Sequence, residues 1–213
     1  MEEKSTIIQE AIKVIKDGGV IAIRSDTIYS LSCDATSDQA IAKTFNIKQR
    51  KSDKPYVILF KSIEQLLQYT HVNKATIHLL EHFTEGLTVI IPYKLNDTLP
   101  LASMLPIKNN SIAIRISKKG DLAELMQDIN IPLISTSINI SGQAYLNNYN
   151  EIREQFDNII DYIAPPLNSS HSLVKATPST ILDMTLSNRY KILRHGSISS
   201  EELQKQVSCP INV

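Results

Sequence analysis

Short aliphatic runs alternate with amphipathic segments along most of the chain. The run at 20–23 is followed by a helical pattern that begins at Ser37 and extends through Phe45. The run at 56–60 is followed by two further helical patterns, near 62–69 and 74–83. Strands that alternate with helices are typical of an α/β sheet, and closely spaced strands late in the chain favour a mixed sheet over a wholly parallel one.

The remaining pattern fits the same class. The sequence predicts an N-terminal helix capped by Ser5 or Thr6, Asn73 as the cap of the helix near 74–83, and an irregular excursion between Pro92 and Asn110. The other predicted elements are strands at 87–91, 112–116, 133–135, 159–163, 179–183 and 190–193, and helices near 120–129, near 149–156 and from Ser199. No internal repeat or clean linker interrupts the chain, so we expect one domain over residues 1–213.

A basic run lies just before the strand predicted at 56–60. Four cations, Lys48, Arg50, Lys51 and Lys54, fall within seven residues, although the protein has 22 Lys and Arg against 22 Asp and Glu. One interpretation is a loop at a strand edge that binds an anion with several phosphates or carboxylates. The other is an ordinary solvated charge run.

Polar segments flank predicted strands at 25–30, 48–54, 135–142 and 177–180. They supply hydroxyls, amides and cations. In open α/β sheets, ligands bind in the crevice beyond strand ends, so we expect segments of this kind to converge.

Composition and motifs exclude several classes of protein. Zero net charge argues against coating nucleic acid by bulk charge. Cys33 and Cys209 form no disulfide framework, the N-terminus does not resemble a signal peptide, and no apolar stretch approaches the roughly 18 residues of a membrane span, so we expect a soluble cytoplasmic protein. The chain contains neither a GxSxG elbow nor a GxxxxGK[ST] loop, and the spacing of its histidines does not indicate a metal site.

Five motifs together resemble one family. GGVIAIRSDTIYSLSCDA is similar to the opening signature of the YrdC/TsaC family, usually GG-hydrophobic-PTDTVYGLGCDA. IKQRKSDKP resembles its KxR motif, STSINISG its SxN motif, and PSTILD and ILRHGSIS its last two signatures. The motifs occur in the family's order from about residue 18 to residue 200.

This resemblance implies a twisted open α/β sheet with a central basic cavity, in the short single-domain form of the family. It also implies L-threonylcarbamoyladenylate synthase activity: L-threonine, bicarbonate and ATP give threonylcarbamoyl-AMP and pyrophosphate. The product serves the threonylcarbamoyladenosine modification of tRNA, which makes tRNA or tRNA-modification enzymes transient partners. Mg²⁺ would accompany the nucleotide.

The family's roles carry over to residues at matching motif positions. The implied catalytic tetrad is Lys48, Arg50, Ser137 and Asn139. The implied ATP-binding set is Arg50, Lys54, Ser111, Asn139 and Arg194. The implied threonine-binding set is Thr27, Tyr29, Arg115, Ser137 and Ser179.

The residue types suit this chemistry. The threonine amine and bicarbonate form a carbamate without a protein nucleophile, and bringing that anion against a polyphosphate requires cations and positioning. Each residue also has a simpler explanation: Ser137 and Asn139 are common turn residues. Arg115 is the exception, because an arginine within an aliphatic strand needs a partner.

The chain departs from the usual motif at several positions. Ser30 and Ser32 replace two glycines, and Arg24 replaces a proline. If the glycines serve a positive φ or a close substrate approach, the serines would narrow or stiffen this segment. Two other functions therefore stay open: an RNA-binding or ribosome-maturation protein, and a related carbamoyl or adenylyl transferase with another substrate.

Overall fold

The computed structural model describes residues 2–49, 55–93, 100–167 and 177–212. Its strands form one ten-stranded sheet in the order β10-β9-β8-β4-β5-β3-β6-β2-β1-β7. The strands are β1 (Ile21–Arg24), β2 (Tyr29–Asp34), β3 (Val57–Phe60), β4 (Leu87–Pro92), β5 (Ser111–Ile116), β6 (Leu133–Ser137), β7 (Tyr162–Ile163), β8 (Thr180–Asp183), β9 (Tyr190–Arg194) and β10 (Ile211–Asn212). The helices are α1 (Glu2–Lys16), α2 (Asp38–Lys48), α3 (Ile63–Tyr69), α4 (Lys74–His82), α5 (Asp121–Gln127), α6 (Tyr149–Phe156) and α7 (Ser200–Lys205).

The sheet is mixed, as the spacing of the late strands predicts. β3 pairs with β5 and β4 with β8 in parallel, as do the short strands β7 and β10 with β1 and β9. The other neighbours pair antiparallel. The predicted α/β class and mixed open sheet are confirmed.

The two faces of the sheet have separate apolar cores. Residues such as Leu31 and Ile58 point to the larger core, which includes side chains of α2, α3 and α4. The alternate residues Ile21, Leu59 and Leu133 point to the other face, where α1 and α5 supply a smaller core. Side chains of consecutive strand residues point to opposite faces, so β1, β3 and β6 contribute to both cores.

Side-chain caps begin several helices where the sequence predicts them. Ser37 Oγ accepts from Ala40 N at 3.2 Å, and Asn73 Oδ1 accepts from Thr76 N at 2.8 Å. Ser199 forms a reciprocal capping box with Glu202 at the start of α7. These hydroxyl and amide oxygens satisfy amide donors that have no partner within the helix.

The ends of the first two helices differ from the prediction. α1 already begins at Glu2, ahead of the expected caps at Ser5 or Thr6. α2 continues past Phe45 to Lys48, and Gln49 ends it in the left-handed conformation at φ 48°. Lys48 is therefore a helical residue, and the prediction that placed it in a polar loop is wrong.

Two strands were missed. β2 occupies Tyr29–Asp34, where Ser30 and Ser32 alternate with Tyr29, Leu31 and Cys33. The hydroxyls of this segment led to its interpretation as a polar segment beside a strand. Its alternation of serines with apolar residues nevertheless has the period of two that a strand requires. β10 adds a short edge strand, and β7 covers less than the predicted 159–163. Among the described residues, no helix has both the length and the apolar character needed to cross a membrane.

Candidate functional site

The sheet face that carries α1 and α5 is apolar at one end and polar at the other. Leu59 lies opposite Leu133 on one neighbouring strand and opposite Arg115 on the other, so the three side chains share this face. Ser30 pairs with Ser137 in the register of β2 and β6, and both belong to the same face. Along this face the side chains therefore change from leucine to serine and arginine.

A cavity of about 300 Å³ opens over this polar part, and we call it the arginine cavity. Its lining residues come from several strands and the segments beside them. The lining includes Ser25, Thr27, Ile28, Ser30, Pro55, Tyr56, Val57, Arg115, Ser135, Thr136, Ser137, Tyr145, Pro178, Ser179, Ile181 and Arg194. Segments 25–30, 135–142 and 177–180 thus converge, as the sequence predicts.

Arg115 has the partner that its place in an aliphatic strand requires. Its guanidinium forms an ion pair with Asp26, and its Nη1 donates to Thr27 Oγ1 at 3.4 Å. Asp26 Oδ2 also accepts from Gly86 N at 3.2 Å. The side chains of Arg115 and Asp26 are 9% and 3% exposed. Because a protein carboxylate already engages this arginine, a ligand carboxylate would share the guanidinium with Asp26 rather than take all of it.

Arg194 has a different environment. Its Nε donates to Ser179 O at 3.0 Å and its Nη2 donates to Ser179 Oγ at 2.9 Å. Within the described ranges, no carboxylate forms an ion pair with it. Burial and the nearby charge of Arg115 lower the pKa of Arg194 below its ordinary value. An arginine side chain in a protein is nevertheless a cation at neutral pH. A second positive charge without a carboxylate partner favours an anion in this cavity.

The contact between Arg194 and Ser179 depends on Gly196. A Cβ at position 196 would lie 2.3 Å from Pro178 O and 2.4 Å from Thr180 N. The missing side chain lets the two main chains approach, and Ser197 N donates to Pro178 O at 3.2 Å. Thr88 Oγ1 lies 2.8 Å from Ser179 Oγ and holds that hydroxyl from the other side.

The SxN segment is joined to the end of α2. Lys48 Nζ donates to Ser137 O at 2.5 Å, Asn139 Oδ1 at 2.7 Å and Asn139 O at 3.2 Å. Ser137 Oγ donates to the same Asn139 Oδ1 at 2.8 Å. Lys48, Ser137 and Asn139 therefore form one hydrogen-bonded cluster, which we call the KSN cluster.

A larger cavity of about 650 Å³ lies beside the arginine cavity, with Ser25, Thr27 and Ile28 lining both. Ser25 Oγ accepts from Ile28 N and donates to Ile28 O, which folds this dividing segment tightly. Arg24 fixes its base through an ion pair with Asp121 at 3.0 Å. Segment 25–28, which we call the wall, therefore separates the two cavities and is held in place by these hydrogen bonds and this ion pair.

Tyr29 belongs to the larger cavity. Its hydroxyl donates to Ala164 O at 3.1 Å, and its amide donates to Asn147 Oδ1 at 2.7 Å. Burial raises the pKa of the Tyr29 phenol above its ordinary value, with the charge of Asp121 adding to the effect. Its side chain is buried and hydrogen-bonded to the protein, so it does not line the arginine cavity.

The structure brings some of the predicted site residues together and separates others. Those that line the arginine cavity are Thr27, Arg115, Ser137, Ser179 and Arg194. Lys48 and Asn139 are hydrogen-bonded to Ser137 but are not among the lining residues. Ser111 is apart, with its hydroxyl donating to Lys108 O at 2.7 Å. Arg50 and Lys54 fall outside the described residues. The binding and catalytic roles of all these residues stay predictions.

Sequence reasoning missed Asp26 and the placement of Ser30. Asp26 stood beside Thr27 in a polar segment, and a buried arginine elsewhere was the signal that an acid should pair with it. Ser30 and Ser32 lie in an extended strand, and the non-glycine residues with positive φ in the described ranges are Gln49, Asn109 and Asn110. A positive φ therefore does not explain the usual glycines at 30 and 32, and the space that their side chains occupy is the difference that remains.

No group of three or more His, Cys, Asp or Glu side chains is arranged to hold a metal ion within the described part of the chain. The polar groups of the arginine cavity are donors and hydroxyls. Such a lining suits a phosphate or carboxylate better than a bare cation.

The chain belongs to the Sua5/YciO/YrdC family, whose model, described as telomere recombination, matches residues 13–196. The fold is similar to the crystal structure of P. abyssi Sua5 complexed with L-threonine, with a TM-score of 0.79 and 24% identity over 96% of this chain. It is also similar to E. coli YciO, with a TM-score of 0.75 and 20% identity over 94% of this chain.

A third structure, full-length HypF in its phosphate- and nucleotide-bound form, matches 89% of this chain with a TM-score of 0.77 and 21% identity. The chain spans 58% of the Sua5 chain, 93% of YciO and 29% of HypF. At these identities the likeness establishes the fold.

Proposed function

We propose that the protein is a threonylcarbamoyladenylate synthase, which converts L-threonine, bicarbonate and ATP into threonylcarbamoyl-AMP and pyrophosphate. The observation that carries the proposal is the arginine cavity, where Arg115 and Arg194 meet the hydroxyls of Ser137 and Ser179 on an open sheet face. The family, and relatives of this fold described with L-threonine or with phosphate and nucleotide, support the same substrates.

The reaction has two bond-forming steps. The neutral amine of threonine attacks the carbon of bicarbonate, and loss of water gives a carbamate. A carbamate oxygen then attacks the α-phosphorus of ATP, and the bond from that phosphorus to the oxygen that bridges to the β-phosphorus breaks. Pyrophosphate leaves with the electron pair of that bond, and Mg²⁺ enters with ATP as part of the substrate.

The cavity lowers the barrier by charge and position rather than by a protein nucleophile. Two anions must meet in line, and fixed guanidinium groups reduce their repulsion at no reorganisation cost. Arg194 suits the phosphates because it has no carboxylate partner among the described residues. Arg115 suits the amino-acid carboxylate, with Thr27 at 3.4 Å from the same guanidinium.

Isotope labelling tests the reaction. We expect carbon from labelled bicarbonate in the adenylate, detected by mass, and ATP consumption that stops when bicarbonate or threonine is omitted. Threonine should exceed serine by roughly 10–200-fold in kcat/KM, the gain that one methyl group gives in a fitted pocket. Pyrophosphate release that continues unchanged without either co-substrate would sink the proposal.

A variant of Arg194 tests the site. Arg194→Met should lower kcat/KM by on the order of 10²–10³-fold, the loss seen when a preorganised donor to a developing charge is removed. Arg153→Met is the matched control, because Arg153 is exposed on α6, pairs with Asp157 at 3.1 Å and lines neither cavity. Equal activity of the two variants would remove Arg194 from the mechanism.

A second candidate is a related carbamoyl or adenylyl transfer to another amine. Ser30 favours it, because this side chain takes up room in the cavity wall where the family's usual glycine would leave space. The same assay with each amino acid in turn separates the two candidates, since each adenylate has its own mass. Only the first candidate supplies threonylcarbamoyl-AMP to tRNA modification, and only it has tRNA or tRNA-modification enzymes as transient partners.

A further inference from the structure

We propose that Lys48 is a positioning residue, which holds the Ser137 hydroxyl as a hydrogen-bond acceptor in the arginine cavity and does not bind the nucleotide phosphates. This inference rests on the proposed function, and it gives Lys48 a positioning role in place of the catalytic role that the sequence resemblance implies. It concerns the KSN cluster.

The first argument is the balance of donors. A lysine ammonium has three N–H groups, and three protein oxygens lie within 3.2 Å of Lys48 Nζ. Two of them are main-chain carbonyls of Ser137 and Asn139, and the third is the Asn139 side-chain oxygen. A phosphate could reach this ammonium only by displacing one of these acceptors.

The second argument is burial. Lys48 is 2% exposed and is not among the residues that line the arginine cavity. An ammonium at such a depth is stable only when its hydrogen bonds are made, and here carbonyl and amide oxygens make them. Ser137 does line the cavity, and its main-chain carbonyl accepts from Lys48.

The third argument is the direction of the hydrogen bonds. Asn139 Nδ2 donates to Gln143 O at 2.7 Å, which fixes Oδ1 as the end of the carboxamide that faces Lys48 and Ser137. Ser137 then donates its hydroxyl proton to Asn139 Oδ1, and the lone pairs of the Ser137 hydroxyl can accept a hydrogen bond from a ligand. Its position suits an N–H group, such as that of the threonine amine or carbamate.

The fourth argument is the main chain. Ser141 N donates to Lys48 O at 2.8 Å, so both ends of the residue bind the same segment. Gln143 N and Leu146 N donate to Ile140 O and Ile138 O within and beside it. Loss of the ammonium should therefore loosen residues 137–146 even without any ligand.

Hydrogen exchange and ligand binding test the proposal together. In ligand-free Lys48→Met, the amides of Ser141, Gln143 and Leu146 should exchange about tenfold faster or more, while β5 amides stay protected. The affinity for MgATP, measured by calorimetry, should change by less than about threefold, and kcat should fall by about 10²-fold with KM for ATP nearly constant. The control is Lys43, which lies on the same helix as Lys48 and forms a surface ion pair with Asp161. Lys43→Met should change none of these quantities.

A double-mutant cycle separates positioning from general destabilisation. If Lys48 acts through Ser137, the kcat losses of Lys48→Met and Ser137→Ala overlap, and the double variant is little worse than either single one. If Lys48→Met does not fold, Asn139→Ala keeps the lysine, removes one of its acceptors, and should give the same faster exchange in the ligand-free protein.

Three results would overturn the proposal: a loss of MgATP affinity of about tenfold or more, additive kcat losses, or unchanged exchange at Ser141, Gln143 and Leu146. If the wild-type protein neither binds MgATP nor turns it over, the proposed function fails. The exchange rates of the ligand-free variants then decide alone whether Lys48 holds this segment.

Discussion

Two ends of one sheet face differ in what covers them. At the covered end, Leu59 and Leu133 lie under α1 and α5 and form a closed apolar core. At the other end, which we call the open end, Arg115, Ser135 and Ser137 belong to the same face and line the arginine cavity. The same strands carry both ends, so the cavity is built on the rigid support of the sheet. The side chains determine which end forms the apolar core and which end forms the cavity.

The largest effect should come from the buried ion pair at the border of the two ends. Arg115→Met leaves the Asp26 carboxylate buried without its guanidinium, which should lower the free energy of unfolding by about 3–5 kcal/mol. Urea denaturation measures the loss. Adding Asp26→Asn should recover part of it, because the uncompensated charge is then gone. A single variant as stable as the wild type would mean that water, rather than Arg115, compensates this carboxylate.

The next effect compares the two ends directly on β6. Leu133→Ala should cost about 2–5 kcal/mol, because it leaves a cavity in a closed core. Ser135→Ala, two residues along on the same face, should stay within about 0.5 kcal/mol, as surface substitutions do. Calorimetric unfolding of both variants checks this. Equal losses would show that the open end is packed like the covered one.

A smaller loss of stability is expected where Gly120 packs against the wall, segment 25–28, beside the arginine cavity. Gly120 has φ 86°, and a Cβ there would lie 2.7 Å from the main-chain carbon of Ser25. Gly142 has a similar φ of 94°, with nothing within 4 Å of its Cβ position. Gly120→Ala should therefore lose roughly 1–3 kcal/mol more than Gly142→Ala, which carries only the conformational cost. Equal melting temperatures would mean that the wall moves aside freely.

The smallest effect is electrostatic and lies away from the site, at the start of α2. Met104 N and Ser103 Oγ donate to Asp38 at 2.8 Å and lower the pKa of that carboxyl below 3.8. Because the folded-state pKa is lowered, the stabilisation is complete above the unfolded value and disappears as the pH falls through the folded value. Asp38→Asn should be slightly less stable at neutral pH, and the difference should close in acid. A gap that stays constant down to the lowest pH would exclude this contact as its cause.

Local features of the sequence predicted much of the fold. Aliphatic runs located β1, β3, β4, β5 and β6 within a residue or two. Asn73 and Ser37 began helices as expected, since a cap requires only a side-chain oxygen close to the first turn. Motif order was enough to indicate the family, and alternation of elements was enough to indicate an α/β sheet.

The errors occurred where a polar residue lies in a strand or a helix end. Tyr29–Asp34 became a strand because β1 and β6 pair with both its edges and its apolar residues enter the larger core. Lys48 became a buried helical residue because carbonyls of Ser137 and Asn139, about ninety positions later, accept its protons. Neither partner can be identified from neighbours in the chain.

The sequence by itself determined which groups are available: arginines, lysines, hydroxyls and an amide near strand ends, in the order of one family. The tertiary structure decided which of them act alone and which are already engaged. Arg115 is joined to Asp26 at a separation of 89 positions, Lys48 is enclosed by the SxN segment, and Arg194 keeps its charge unpaired by any described carboxylate. The reason is that the free energy of a charged group depends on the atoms around it in space, and burial and hydrogen bonds are set by chain segments distant in sequence.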